Sequence, residues 1–102
     1  MAYEIIIRPE AENDLKETYS WYEDKRNGLG DEFLLNVEAG LNFVKRNPLI
    51  HSVEYKHTRK HLIKRFPYKI IYLTTENTII VIAVIHGKRT PDLTAKRIGN
   101  SQ

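Results

Sequence analysis

The chain of 102 residues contains no cysteine, one methionine and one tryptophan. The absence of cysteine excludes a disulfide scaffold, a thiolate zinc site and a cysteine nucleophile, and it fits a reducing compartment. Long hydrophobic runs are also missing, since the longest, residues 79–85, is far shorter than the roughly 20 residues of a membrane-spanning helix. Residues 1–20 lack the features of a signal peptide. We therefore expect a cytoplasmic protein that does not enter a membrane.

Acidic residues are scarce in the second half of the chain. Residues 1–44 carry four basic and ten acidic side chains, a net charge of −6, whereas residues 45–102 carry twelve basic and three acidic ones, a net charge of +9. All four histidines also lie in the second part. This asymmetry indicates an acidic or polyanionic partner for the C-terminal part. The alternative is that the two charged faces serve only solubility.

The remaining composition is that of one globular domain. Hydrophobic residues make up 41% of the chain and charged residues 28%. A chain of this length buries roughly two-thirds of its unfolded surface, enough for a single core. We predict one domain over residues 1–102, with an ordered core over about residues 3–91 and a C-terminal tail over residues 92–102.

The first half of the sequence predicts a strand followed by two helices. The isoleucine run within residues 3–8 indicates a strand, and because it is continuous we expect both faces to be covered. Pro9 then opens a helix that breaks at residues 27–30. A second amphipathic helix follows and ends at Asn47-Pro48. Gly40 lies inside its apolar stripe, so we expect another element to pack closely over it.

The second half predicts three further strands. They span residues 61–66, 68–74 and 78–86, with a tight turn at residues 76–77 and a bend at Pro67. Residues 49–60 are polar and irregular and are expected to form an ordered loop or a short strand, and one turn of helix is expected near residues 92–97. The order is β-αα-βββ, an α+β fold in which a helical hairpin packs on a small, mostly antiparallel sheet.

A series of short motifs follows one another at characteristic spacing. They are Ile5-Ile6-Ile7-Arg8-Pro9-Glu10-Ala11-Glu12-Asn13-Asp14-Leu15, Trp21-Tyr22-Glu23, Gly28-Leu29-Gly30-Asp31-Glu32-Phe33, Asn47-Pro48, Arg65-Phe66-Pro67-Tyr68-Lys69-Ile70-Ile71-Tyr72 and His86-Gly87-Lys88-Arg89. In this order the motifs resemble the RelE/ParE superfamily of toxins from type II toxin–antitoxin systems, and the ParE-like branch most closely. The resemblance covers nearly the whole chain.

The resemblance implies a growth-inhibiting toxin that a cognate antitoxin neutralises. Toxins of the ParE type act on DNA gyrase, whereas those of the RelE type cleave mRNA on the ribosome. We predict the ParE-like activity, in which the protein binds gyrase and is not an enzyme. The alternatives are a ribosome-dependent endoribonuclease and a non-toxic partner-binding or regulatory remnant, since fold alone does not decide function.

The nuclease alternative assigns catalytic roles to a small set of residues. RNA cleavage without a metal needs a base, cations and an acid at one phosphate. By resemblance these are the cations Lys60, Lys64, Lys69 and Arg89, with His86 as acid or base. The C-terminal tyrosine of RelE-like nucleases is missing, because no tyrosine follows Tyr72. This departure favours the ParE-like activity. Neither alternative calls for a metal or a cofactor.

The binding alternative needs only a cationic surface. The candidate target-binding residues are Arg59, Lys60, Lys64, Arg65, His86, Lys88 and Arg89. If residues 61–66 form a strand, Lys64 and Phe66 point to one face and Arg65 to the other. We expect the helical hairpin to cover one side of the sheet and to leave a cationic margin free.

Two further groups of side chains have alternative interpretations. Tyr19, Trp21 and Tyr22 are candidates for an antitoxin-binding patch, because aromatic residues are enriched at interfaces, but helix aromatics often pack on a sheet instead. His57 and His61 have the i, i+4 spacing of a helical metal pair. Since we predict no helix there, we predict no metal site.

Overall fold

The computed structural model describes residues 3–88 and 96–98, and within them the predicted β-αα-βββ order is confirmed. The elements are β1 (Glu4–Ile7), α1 (Pro9–Lys25), α2 (Leu29–Arg46), β2 (Arg59–Leu62), β3 (Tyr68–Thr74) and β4 (Thr78–His86). The strands form one mixed sheet in the order β1-β4-β3-β2, with β1 parallel to β4 and the other pairs antiparallel. Neither long helix of this described part is apolar enough to cross a membrane.

The two helices form a hairpin whose tight connection is capped by Glu23. Its carboxylate accepts hydrogen bonds from the backbone N–H groups of Gly28 and Gly30, both at 2.9 Å. These groups belong to the start of α2, where backbone donors have no partner within the helix and a negative charge is favourable. Gly28 has φ +90°, a left-handed conformation that suits glycine. The predicted helix break at residues 27–30 is therefore a tight turn that the Glu23 carboxylate stabilises.

The hairpin packs on one face of the sheet and forms the main core. The core is rich in aromatic and β-branched side chains: Ala11, Phe33, Val37, Val44, Ile63, Phe66, Ile70, Tyr72, Ile79, Val81 and Val84. A Cβ placed on Gly40 would lie 3.1 Å from Ile70 Cδ1, 3.2 Å from His61 Cδ2 and 3.3 Å from Ile63 Cγ2. The close approach predicted over Gly40 is confirmed, and it brings α2 directly against the sheet.

The first two predicted strands differ from the structure. β1 lies at the edge of the sheet, and Ile6 on one of its faces is 52% exposed. The prediction that both faces of this strand are covered is therefore wrong. β2 begins at Arg59 and ends at Leu62, so the predicted strand over residues 61–66 is wrong beyond Leu62. Residues 64–67 form a bend in which Arg65 has φ +70°. Because the bend is not a strand, Lys64 and Arg65 are both exposed while Phe66 is buried, which corrects the predicted alternation.

Among the residues that the structure describes, none forms a strand on the β1 side of the upper part of β4. β1 pairs with β4 only as far as Val81, and an irregularity in the β3–β4 register follows. Beyond it, Asp14 of α1 accepts a hydrogen bond from Val84 N at 3.0 Å, and Arg97 donates to Ile82 O at 3.2 Å. Arg97 and Asp14 also form a mostly buried ion pair at 2.6 Å. These side chains therefore satisfy the strand edge that β1 leaves open.

Candidate functional site

The sheet has one strongly basic end, where β2 finishes, β3 begins and β4 finishes. The register pairs Leu62 with Lys69 and Tyr68 with His86, so the flanking residues meet at this end. We call it the cationic end and define it by Lys64, Arg65, Lys69, His86 and Lys88. Arg89, which follows it in the chain, lies outside the described residues. Of the predicted target-binding residues, this end contains Lys64, Arg65, His86 and Lys88, and Lys69 lies there as well.

Arg65 is a member of the cationic end whose charge is compensated by a carboxylate of the hairpin. It pairs with Glu32 of α2 at 2.8 Å, and Glu32 also pairs with Arg26 at 3.3 Å. Hydrogen bonds from Arg65 and then Arg26 hold the pKa of the Glu32 carboxyl below its usual value. The left-handed backbone at Arg65 aims this side chain at the hairpin. Arg65 therefore ties the bend to α2, whereas Lys64 and Lys88 are exposed at the same end.

Lys69 and His86 lie at the cationic end on opposite faces of the sheet. The His86 ring packs edge-on against Tyr68, at 5.4 Å between centroids, and Tyr68 in turn faces Phe33 of the helical hairpin. Lys69 is the next residue along β3, so its side chain points to the other face. There its Nζ donates to Gly87 O at 3.4 Å. His86 Nδ1 accepts a hydrogen bond from Lys88 N at 3.1 Å.

Arg59 and Lys60, two of the predicted target-binding residues, lie at the opposite end of β2. Arg59 donates to the carbonyl oxygens of Leu49, at 3.5 Å, and of His51. Lys60 pairs with Glu54 at 3.5 Å. With Lys69 these residues line a small depression of about 110 Å³ that also contains Tyr55, Thr58 and Ile71. Arg59 and Lys60 therefore make local contacts, and of the residues that define the cationic end they share this depression with Lys69.

This arrangement does not bring the four described residues of the nuclease set together at one place. Lys60 and Lys69 reach one depression, Lys64 lies on the bend, and His86 lies on the helix-facing side. A phosphate held by the two lysines would not have His86 beside it, because that ring is on the other face of the sheet. Arg89 belongs to the part of the chain that the structure does not describe. Within residues 3–88 and 96–98, no three or more metal-ligand side chains are grouped in a way that could hold an ion.

A histidine pair beside β2 was missed by the sequence analysis, which paired His61 with His57. His61 instead lies 2.9 Å from His51, from Nδ1 to Nε2, and stacks on Phe43 with ring centroids 4.9 Å apart. Burial, followed by the charges of His51 and Lys64, lowers the pKa of His61 below its usual value. No local pattern reveals this pair, because its members are ten residues apart and joined by an irregular loop.

The three candidate aromatics of α1 do not form one patch. Tyr22 packs among Phe33, Phe66 and Tyr68, with centroid distances of 4.9 to 6.1 Å. Trp21 is 54% exposed and lines a groove beside the open edge of β4, together with His86. Tyr19 lines a different groove of about 580 Å³ between the helices, with Leu15 and Leu34. Only Trp21 and Tyr19 therefore offer surface for a partner, and they face different grooves.

Comparison with known proteins identifies the family. Residues 5–91 match the family described as the ParE toxin of the type II toxin–antitoxin system parDE. The chain belongs to the ParE toxin family. It is 29% identical over 93 residues to the toxin ParE2 of Mycobacterium tuberculosis, with 90% of this chain and 89% of that protein covered. The predicted family resemblance is thus confirmed.

Two solved structures support the fold of this ParE-family toxin. One, from the chromosomal ParDE toxin–antitoxin system of P. aeruginosa, superposes with a TM-score of 0.73, at 11% identity, over 82% of this chain and 95% of that one. A mutant of the E. coli toxin RelE in its free state superposes with a TM-score of 0.63, at 16% identity, over 98% of both chains. At these identities the likeness concerns the fold alone.

Proposed function

We propose that this ParE-family toxin arrests growth in the cytoplasm by binding DNA gyrase through the cationic end of its sheet. The observation that carries the proposal is the collection of Lys64, Lys69 and Lys88 at one end, where Glu32 is already paired with Arg65 and Arg26. Positive charge concentrated at one end favours and accelerates binding to an acidic surface of a protein or of the DNA it holds. Binding of this kind requires no covalent chemistry.

The second candidate function is ribosome-dependent cleavage of mRNA. It is supported by the fold shared with RelE over nearly the whole chain and by the depression that Lys60 and Lys69 line together. Against it, Lys60 is paired with Glu54, His86 lies on the other face, and no tyrosine follows Tyr72. A lysine pair without an acid and a base at the same phosphate supports binding better than bond cleavage.

The proposal includes neutralisation by a cognate antitoxin. A related fold comes from a ParDE toxin–antitoxin system, which supports an antitoxin partner for this chain as well. The exposed Trp21 and the groove at Tyr19 remain candidate contacts for it. Tyr22 is a weaker candidate, because its ring is engaged in the aromatic core.

Two assays on the full chain separate the candidate functions. Purified protein is added to a gyrase supercoiling reaction and, in parallel, to translating ribosomes with a reporter mRNA. We expect inhibition of supercoiling and intact mRNA. Cleaved mRNA with unaffected supercoiling would replace the gyrase proposal by the nuclease one. Normal growth of cells that produce the soluble chain without antitoxin would support the alternative of a non-toxic remnant.

The variant Arg89→Ala is expected to reduce toxicity under either toxic mechanism, which the same growth assay measures.

A further inference from the structure

The exposed apolar side chains of this protein are concentrated in one region. Nine large hydrophobic residues are exposed in the described part of the chain, and four of them, Leu49, Ile50, Val53 and Tyr55, lie within seven consecutive residues. A fifth, Leu62, is on the adjacent strand β2 and is 61% exposed. Single exposed hydrophobic residues are ordinary, but a concentration of them marks an interaction site.

Residues 51–54 of this region are irregular and lie beside β2 without forming a strand of the sheet. Glu54 N donates to Thr58 O at 2.6 Å, and His51 meets His61 further along. The segment turns back into β2 through Lys56 and His57, which both have positive φ, at +53° and +67°. Such conformations are costly for side-chain-bearing residues and persist where the surroundings impose them. We call residues 49–55 the apolar flap.

The apolar flap lies in the most basic stretch of the chain. Residues 39–75 contain eight basic residues and a single acidic one, Glu54, whose charge is already paired with Lys60. A partner that covers the exposed leucine, isoleucine and valine side chains would therefore meet positive charge at the rim. The charge favours an acidic segment with apolar residues, and it disfavours a basic one.

We propose that the apolar flap is a docking surface for an acidic, apolar segment of the cognate antitoxin. The inference rests on the proposed function and deepens it, because it assigns a toxin surface to neutralisation that is distinct from the cationic end. The segment buries Ile50 and Val53 and sets its carboxylates against the exposed basic residues that flank the flap in sequence, Lys45, Arg46 and Lys56.

Paired substitutions of exposed residues test this surface. Ile50→Asp and Val53→Asp each place a negative charge on the apolar flap, and Leu35→Asp places one on α2, where Leu35 is 63% exposed. The probe is the purified antitoxin encoded beside the toxin gene, with affinities measured by calorimetry on full-length toxin. We expect both flap variants to lose at least tenfold in affinity and Leu35→Asp to bind as wild type. Thermal unfolding of each variant verifies that the fold is kept.

Growth assays distinguish failure of the surface from failure of the function. Without antitoxin, both flap variants should remain as toxic as wild type, and with antitoxin they should escape neutralisation. If the antitoxin neutralises wild type and both flap variants alike, the docking surface is wrong while the proposed function stands. Loss of affinity only in Leu35→Asp would move the contact to the helical hairpin. If the antitoxin fails to neutralise even wild type, the proposed neutralisation itself is overturned, and the flap inference with it.

Discussion

Single residues control how closely the layers of this toxin approach one another. Gly30 lies where the two helices cross, and a Cβ there would be 2.7 Å from the Tyr19 ring and 2.8 Å from the Tyr19 carbonyl oxygen. Gly40 lies where α2 meets the sheet, against three side chains at 3.1 to 3.3 Å. At Gly87 the nearest atom, Pro67 O, would be 3.6 Å away, an ordinary contact. The space available to a Cβ atom thus increases from Gly30 to Gly40 and from Gly40 to Gly87.

Alanine substitution of these glycines should destabilise the fold in that order. Gly30→Ala is expected to cost about 2–3 kcal/mol, because a backbone oxygen cannot yield as a side chain can. Gly40→Ala should cost about 1 kcal/mol, since overpacking is offset in part by a better helix propensity. Gly87→Ala should stay within about 0.5 kcal/mol. Urea unfolding with unchanged m-values measures the series, and equal stability of all three variants would contradict the close packing described above.

At the scale of elements, the least conventional piece is the irregular segment of residues 51–54, which lies beside β2 without joining the sheet. Side chains hold most of it: His51 contacts His61, Arg59 reaches two loop carbonyls, and Lys60 meets Glu54. The His51–His61 hydrogen bond requires a neutral nitrogen as acceptor. Its attachment to β2 therefore depends on the protonation state of this pair.

The histidine pair should make stability fall in mildly acidic solution. The folded-state pKa of His61 lies below its ordinary value of 6.5, so the unfolded chain binds more protons there. Stability contributed by the neutral ring is complete above pH 6.5 and is lost as the pH falls below that value. Melting temperatures between pH 7.5 and 5.5 should drop less in His61→Phe than in wild type. The exposed His57→Gln serves as control, and an identical pH dependence in all three proteins would contradict this assignment.

Local sequence patterns predicted the elements well where a proline or a turn marks their ends. The limits of β3 and β4 follow from Pro67 and the turn at residues 76–77, and the contact over Gly40 follows from its place in an apolar stripe. The edge position of β1 was missed, because a run of isoleucines does not reveal which face is covered. Contacts such as Asp14–Arg97 join residues 83 positions apart, and only the folded chain brings them together.

At the scale of the whole molecule, opposite charges are concentrated in different elements. The acidic excess lies in β1 and the helical hairpin. The basic excess lies in the residues from the end of α2 onward, which include the cationic end and the apolar flap. This separation gives the toxin two distinct basic surfaces, one proposed for the target and one for the antitoxin. It also predicts that binding to either partner weakens as ionic strength rises, because exposed charges are screened.

The central claim is that the cationic end binds gyrase, and charge reversal tests it most directly. Supercoiling inhibition is titrated with wild type, with the double variant Lys64→Glu/Lys88→Glu, and with the matched control Lys16→Glu/Lys96→Glu, which makes the same charge change at exposed residues elsewhere. The account predicts that the first double variant needs at least tenfold more protein for half-inhibition while the control behaves as wild type. Equal inhibition by all three proteins would contradict it.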